Sequence, residues 1–210
     1  MDTVENKYLG LYYFSYNMKK TKIKLKLTIV GDHNVGKTSI LNSFLDKSVF
    51  NTPTTLGIDF FTKIYQLDDY TVQMTLWDTA GSERFHSLTP AYTRGSNIVI
   101  VVYDLSKARS NINYWLRKIE SDRPNIVGIL GNKTDITTLN NEDLQDVLFP
   151  YSRQNWNIIT GKCSSRDSKS VKNFFRQCIK QHVRQDLENP FKLPIVSISE
   201  PKKKVRTCCT

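Results

Sequence analysis

Residues 31–38, GDHNVGKT, limit the possible folds of this chain more than any other part of the sequence. They match the phosphate-loop pattern G-x-x-x-x-G-K-[ST]. The run before them (22–30) has the composition of a strand that enters a core, and a helical pattern follows as far as Lys47. In this strand–loop–helix context the backbone N–H groups and the helix N-terminus surround a phosphate. The segment therefore predicts a phosphate-binding site.

Particular residues in and beyond this loop match particular parts of a nucleotide. Lys37 supplies a positive charge for the β- and γ-phosphates, and the Thr38 hydroxyl is a ligand for Mg²⁺. Asp78, near the end of a later strand, holds the same cation through water, and Gly81 presents its N–H to the γ-phosphate. The loop residues expected at the nucleotide are Gly31, Asp32, His33, Asn34, Val35, Gly36, Lys37, Thr38 and Ser39.

A second motif, Asn132-Lys133-Thr134-Asp135, predicts which base is bound. The Asp135 carboxylate can accept hydrogen bonds from N1 and the 2-amino group of guanine, whereas adenine would leave it unpaired. Four residues alone are a weak match, since polar loops often contain them. Behind a phosphate loop, in this order, they indicate GTP and GDP with Mg²⁺.

The order of the predicted elements indicates an α/β domain. Helical stretches are predicted at 109–121, 141–148 and 170–185, and strands at 22–30, 57–67, 71–77, 97–103, 126–131 and 156–160. Strands that alternate with helices form a mostly parallel sheet with helices on both faces. We expect three regions: a flexible N-terminal extension, a nucleotide-binding domain, and a tail with a basic run and a cysteine pair, at residues 1–20, 21–185 and 186–210.

Charge and cysteine content narrow the class of protein. The net charge is +10, from 30 Lys and Arg against 20 Asp and Glu. Such a basic excess is compatible with binding to nucleic acid, with binding to acidic membrane lipid, or with a contribution to solubility alone. No apolar run reaches the ~20 residues of a membrane-spanning helix, and no signal peptide is evident, so we expect neither a transmembrane nor a conventionally secreted protein. Cys163 and Cys178 are predicted to be buried thiols in a reducing, cytosolic compartment.

These motifs resemble those of the Ras-superfamily small GTPases and, within them, the Rab family of membrane-traffic switches. The Rab-like stretches are Leu56-Gly-Ile-Asp-Phe60, Trp77-Asp-Thr-Ala-Gly81, Glu83-Arg84-Phe85 and Tyr92-Thr-Arg-Gly95. The resemblance implies the small-GTPase fold, with a six-stranded sheet that contains one antiparallel strand, and a monomer that hydrolyses GTP to GDP and phosphate. It also implies a guanine nucleotide exchange factor, a GTPase-activating protein, effectors and prenylation machinery as partners, and no nucleic acid.

The resemblance also assigns residues outside the two motifs. Thr55 corresponds to the threonine that binds Mg²⁺ and senses the γ-phosphate, and Phe50 to an aromatic residue that packs against guanine. Ser164, Ser165 and Arg166 stand where the family has its guanine-supporting loop. The residues implied in hydrolysis are Lys37, Thr55, Gly81 and Ser82.

Three aromatic residues, Phe60, Trp77 and Tyr92, match those that read effectors in Rab proteins, although core or hairpin packing explains them equally well. Cys208 and Cys209 resemble geranylgeranylated cysteines, beside lysines that attract anionic lipid. We therefore expect the cytoplasmic face of an intracellular membrane, with a cytosolic pool. The alternative is a nuclear protein, because the basic run 201–206 also resembles a nuclear localisation signal.

Two positions depart from the family pattern and favour slow hydrolysis. Ser82 replaces the glutamine that orients the attacking water, and His33 replaces a small residue where an activating arginine would enter. A constitutively GTP-loaded membrane docking protein is therefore the alternative function. An ATP-using kinase lacks an evident acceptor site and lid here, and a basic nucleic-acid binder lacks a recognisable module.

Overall fold

The first strand, β1, spans Thr21–Gly31 and begins as a strand with one buried face. Ile23, Leu25 and Leu27 are buried, whereas Lys22 and Lys24, on the opposite face, are exposed. This alternation follows the two-residue period of a strand. From Leu27 onward every residue of β1 is buried, so its second half is covered on both faces.

The computed structural model describes residues 21–50, 53–55, 57–82, 87–107, 111–137, 150–151 and 156–188. After β1, the strands are β2 Ile58–Leu67, β3 Tyr70–Thr79, β4 Ile98–Asp104, β5 Ile126–Asn132 and β6 Ile158–Lys162. The helices are α1 Lys37–Phe44, α2 Thr89–Thr93, α3 Ile112–Ile119 and α4 Ser168–Glu188, and a 3₁₀ turn, Glu120–Asp122, follows α3. No helix among these residues is both long and apolar enough to cross a bilayer.

The six strands form one sheet in the order β2-β3-β1-β4-β5-β6. Only β2 and β3 pair antiparallel, and every other neighbouring pair is parallel. The prediction of a mostly parallel, six-stranded sheet with one antiparallel strand is therefore confirmed. Because parallel strands share a direction, the carboxyl ends of β1, β4 and β5 meet at one edge, where α/β proteins bind ligands.

Helices cover both faces of the sheet, as predicted. On one face, α1 and α4 share a core in which the rings of Phe44 and Phe175 stack with centroids 4.2 Å apart. On the other face, α3 buries Trp115 and Leu116 against β4 and β5. Cys163 and Cys178 are buried and unpaired, and burial raises the pKa of each thiol to about 12, as expected of inert structural thiols.

Several boundaries differ from the prediction. Helix α1 ends at Phe44 rather than Lys47, because a turn follows in which Asp46 has a left-handed φ of 60°. Helix α3 is shorter than 109–121, and the five-residue α2 has too little periodicity to be predicted. Helix α4 continues past the expected domain end at 185, and Arg184 and Glu188 pair at 2.8 Å across its last turn.

Several sequence predictions fall outside the described residues. They are the extension 1–20, the helix 141–148, Leu56, Glu83-Arg84-Phe85 and the tail from 189 onward, which includes Cys208 and Cys209.

Candidate functional site

The loop after β1 is shaped by residues with left-handed backbone. Asn34 has a φ of 62° and Gly36 a φ of 94°, which Asn tolerates and glycine adopts without strain. A Cβ at Gly36 would also overlap the side-chain nitrogen of Asn132, so glycine is required there. The loop then leads into α1, whose first residue is Lys37.

Lys37 lies at the centre of the site with only 6% of its surface exposed. Its ammonium donates to the carbonyl oxygens of Gly31 at 2.9 Å and Asp32 at 2.8 Å. Burial lowers the pKa of Lys37 to about 8, although the charges of Asp78 and Asp32 oppose the shift. An ammonium has three N–H donors, so a further donor remains for an anion. A bound phosphate would restore the charge that burial disfavours.

Gly81 approaches Lys37 so closely that only glycine fits. A Cβ at Gly81 would overlap the Lys37 ammonium and lie 2.5 Å from the Asp32 carbonyl oxygen. The half-buried Ser82 follows directly. Residues of the phosphate loop and of the segment 81–82, both predicted for phosphate chemistry, therefore lie together.

A cluster of oxygens lies beside Lys37. The Thr38 hydroxyl donates to Asp78 Oδ2 at 2.6 Å, and the Thr55 hydroxyl lies 2.9 Å from Thr38 Oγ1 and 3.3 Å from Asp78 Oδ2. Burial raises the pKa of Asp78, and its Oδ1 is buried without a hydrogen-bond partner among the described residues. A buried carboxylate with an unpaired oxygen and two hydroxyls is the donor set that suits Mg²⁺. These three residues would hold the ion, which supplies positive charge that offsets the charge on a transferring phosphoryl group.

The motif at the end of β5 lies against the loop that follows β6. Ser164 donates to Asp135 Oδ1 at 2.7 Å, and this hydrogen bond is the main cause of the lowered pKa of Asp135. Arg166 pairs with the other carboxylate oxygen at 3.3 Å, and the Ser165 N–H donates to Asn132 Oδ1 at 3.0 Å. Asp135 therefore stays ionised and available as an acceptor for the N–H groups of a base.

A sequence model of the Ras family matches residues 26–184, which include every site residue described above. The chain belongs to the Ras family. As a Ras-family protein it is a small GTPase, which binds guanine nucleotides with Mg²⁺ and whose class works with exchange factors, activating proteins and effectors. The phosphate loop, the oxygen cluster and the base motif are the parts that this activity needs.

Sequence reasoning missed the role of Asp104 in this Ras-family site. Lys133 donates to Asp104 Oδ2 at 2.7 Å and to the Asn34 carbonyl oxygen at 2.9 Å. Burial tends to raise the pKa of Asp104, but the hydrogen bonds from Lys133 and Ser106 outweigh it and the net pKa is lowered. The pairing follows from the strand register, because Asp104 ends β4 directly beside Asn132 at the end of β5. Lys133 thus links the base motif to the phosphate loop.

The remaining predicted residues lie at the surface of the site or away from it. Phe50 and Phe60 are 68% and 67% exposed, and His33 is exposed in the phosphate loop. The rings of Phe60 and Trp77 lie 6.2 Å apart on one face of the β2–β3 hairpin. Tyr92 is half-buried, and its carbonyl oxygen accepts a hydrogen bond from Thr28 on β1 at 3.3 Å. Ser39 lies half-buried in the first turn of α1.

Proposed function

We propose that this Ras-family GTPase is a Rab-like switch in intracellular vesicle and membrane traffic, with slow GTP hydrolysis. In the GTP form, Thr55 and Gly81 are held in place by Mg²⁺ and the γ-phosphate, and hydrolysis releases both. Support comes from the oxygen cluster, because Thr55 reaches Thr38 and Asp78 from a separate loop.

The reaction is attack of water on the γ-phosphorus, with cleavage of the bond to the β-phosphate oxygen and release of GDP and phosphate. Lys37 neutralises charge on the phosphates, and its own charge is kept in place by two carbonyl acceptors. Slow turnover is proposed from Ser82. Ser82 directly follows Gly81, which abuts Lys37, and it offers only a short hydroxyl where the family has a water-orienting glutamine.

A second candidate function is a docking protein that stays loaded with GTP. Ser82 and His33 favour it, since one lacks the water-orienting amide and the other places an imidazole at the exposed rim of the phosphate loop. The nucleotide bound after gentle purification discriminates between the two. GDP supports a turning-over GTPase, GTP supports the docking protein, and ATP or ADP would contradict both.

The traffic role is supported by two features. The exposed Phe60 beside Trp77 provides an aromatic surface for effectors, and such residues dominate recognition surfaces. Cys208 and Cys209 lie close to a basic run, which suits two lipid chains and anionic headgroups.

Membrane fractionation in cells tests this part of the proposal. The double variant Cys208→Ser/Cys209→Ser is expected to become soluble, whereas Cys178→Ala, which removes a buried thiol instead, stays on membranes. Membrane retention of the double variant would rule out the lipid anchor. Accumulation of the wild type in nuclei would favour the alternative reading of the basic run.

A further inference from the structure

The Asp32 carboxylate is anchored to α3 from two directions. Trp115 Nε1 donates to Asp32 Oδ1 at 2.8 Å, and Asn111 Nδ2, just before the helix, donates to Oδ2 at 3.1 Å. Trp115 is 2% exposed and packed in the core between α3 and the sheet. Because close packing fixes the indole, its N–H offers the carboxylate a rigid attachment point.

The main chain of the same residue faces the phosphate chemistry. The Asp32 carbonyl oxygen accepts from the Lys37 ammonium at 2.8 Å, and it sets how closely Gly81 can approach. A movement of the Asp32 peptide would therefore displace Lys37 and Gly81 together. The side chain of Asp32 points its charge at α3, while its carbonyl orients the catalytic lysine.

We propose that Asp32 is a positioning residue, whose bonds to Trp115 and Asn111 fix the carbonyl that aims the Lys37 ammonium at the γ-phosphate. The inference rests on GTP hydrolysis at this site but not on its rate in the wild type or on a membrane role. Catalysis of hydrolysis here is mainly positioning and electrostatic stabilisation. Greater mobility of the Lys37 ammonium therefore weakens stabilisation of the transition state more than it weakens nucleotide binding in the ground state.

Asp32→Ala removes both hydrogen bonds to the carboxylate. Asp32→Asn removes the negative charge but keeps a side chain that can hydrogen-bond at the same place. An asparagine oxygen still accepts from Trp115, and the Asn111 amide can turn so that its oxygen accepts from the new NH₂ group. We expect Asp32→Ala to lower single-turnover hydrolysis by about tenfold with less than about threefold change in GDP affinity. Asp32→Asn is expected to recover most of that loss.

Trp115→Phe tests the other end of the contact. Trp115→Phe removes one of the two hydrogen bonds that Asp32→Ala removes, so it should slow hydrolysis by no more than Asp32→Ala does. The double variant should be no slower than Asp32→Ala alone, since Asp32→Ala has already removed the bond to Trp115. Trp156→Phe is the matched control, because Trp156 packs against the same core cluster without contacting Asp32 among the described residues. Thermal melting of each variant checks that it is folded. If Trp115→Phe does not fold, comparison of Asp32→Ala with Asp32→Asn still tests the proposal.

The expected outcome also includes the ratio of GTP-analogue to GDP affinity, which should fall in Asp32→Ala and recover in Asp32→Asn. Equal slowing by Asp32→Ala and Asp32→Asn would overturn the proposal and assign the effect to charge. Additive losses in the double variant, or a wild-type rate in Asp32→Ala, would overturn it as well. A very slow or fast wild type bears only on the role of Ser82, since each variant is compared with its own parent.

Discussion

The side-chain amide of Asn132 donates to the backbone carbonyl of Val35 at 2.9 Å, so the base motif is bonded directly to the phosphate loop. The other end of the same amide accepts the Ser165 N–H at 3.0 Å. Asn132 is 1% exposed and therefore joins three loops from inside the protein. Its contacts are those of a structural link between these loops.

Asn132→Ala should loosen this link and speed nucleotide release. It leaves the Val35 carbonyl and the Ser165 N–H unpaired, which costs about 2–3 kcal/mol of unfolding free energy and raises the GDP dissociation rate by about tenfold. Urea unfolding and release of a fluorescent GDP analogue measure the two effects. Asn157→Ala is the control, since its exposed amide bonds the Asn125 carbonyl away from the site. Equal effects in both variants would contradict the role of Asn132.

Asp135→Asn should change base preference. The variant loses the carboxylate that accepts two guanine N–H groups, and its amide can donate to the 2-oxo group of xanthine, so GTP affinity should fall about 100-fold or more relative to XTP. Competition binding with the two nucleotides measures the ratio. Asp167→Asn makes the same charge change nearby, without contact to Asp135 in the described structure, and should keep its preference for GTP. An unchanged ratio in Asp135→Asn would mean that the base pocket is misplaced.

Thr38→Asn should remove most of the effect of Mg²⁺ on nucleotide binding. In the wild type, chelation of Mg²⁺ is expected to speed nucleotide release, because Thr38, Thr55 and Asp78 are the residues that would hold the ion. In the variant, release should be fast already and change little on chelation. The measurement is release of labelled GTP and GDP with and without a chelator. The exposed Thr62→Asn on β2 should behave as the wild type.

Ser82→Gln should raise the rate of hydrolysis with little change in GTP affinity, which is the pattern of a transition-state effect. We expect the wild type to turn over at or below about 10⁻⁴ s⁻¹ without help. Single-turnover assays of wild type, Ser82→Gln and His33→Gly are made with and without an activating protein. They distinguish the effect of residue 82 on orientation of the attacking water from the effect of residue 33 on access of an activating arginine. Fast unassisted hydrolysis by the wild type would show that another group orients the water.

Nucleotide affinity should fall as the pH rises through about 8, because burial lowers the pKa of Lys37 to about 8 in the nucleotide-free protein. Bound phosphate raises that pKa, so binding takes up a proton at high pH. Nucleotide affinity is therefore expected to keep its full value below pH 8 and to fall by up to about tenfold per pH unit above it. Calorimetry from pH 7 to pH 9, in buffers of different ionisation enthalpy, detects both the loss and the proton uptake. A flat profile would show that Lys37 stays charged.

The sequence predicted the sheet and the phosphate loop well because their signals are local. The run 98–104, IVIVVYD, is buried at every position, and so is β5, so an unbroken apolar run was enough to place each strand. The phosphate loop was predictable because glycine, lysine and threonine occupy fixed positions in one short segment.

Contacts between distant segments were not predictable in the same way. The bond from Trp115 to Asp32 joins residues 83 positions apart, and neither residue carries a motif that specifies the other. Asp104 likewise pairs with Lys133 only because β4 and β5 are neighbours in register. The end of α1 depended on the left-handed Asp46, which competes with the helical pattern of its sequence.

The β2–β3 hairpin carries Thr55 just before its first strand and Asp78 near the end of its second, with Asp59 opposite Asp78 in register. Deletion of a single residue in either strand would shift the two oxygen-bearing ends by ~3.3 Å, and it would exchange the inner and outer rows of side chains. Changes of length can therefore accumulate at the turn, Asp68–Asp69, but not within the strands. The lengths of β2 and β3 set the relative positions of Thr55 and Asp78. Evolution of this protein is therefore expected to conserve these two strand lengths as well as the oxygen-bearing residues themselves.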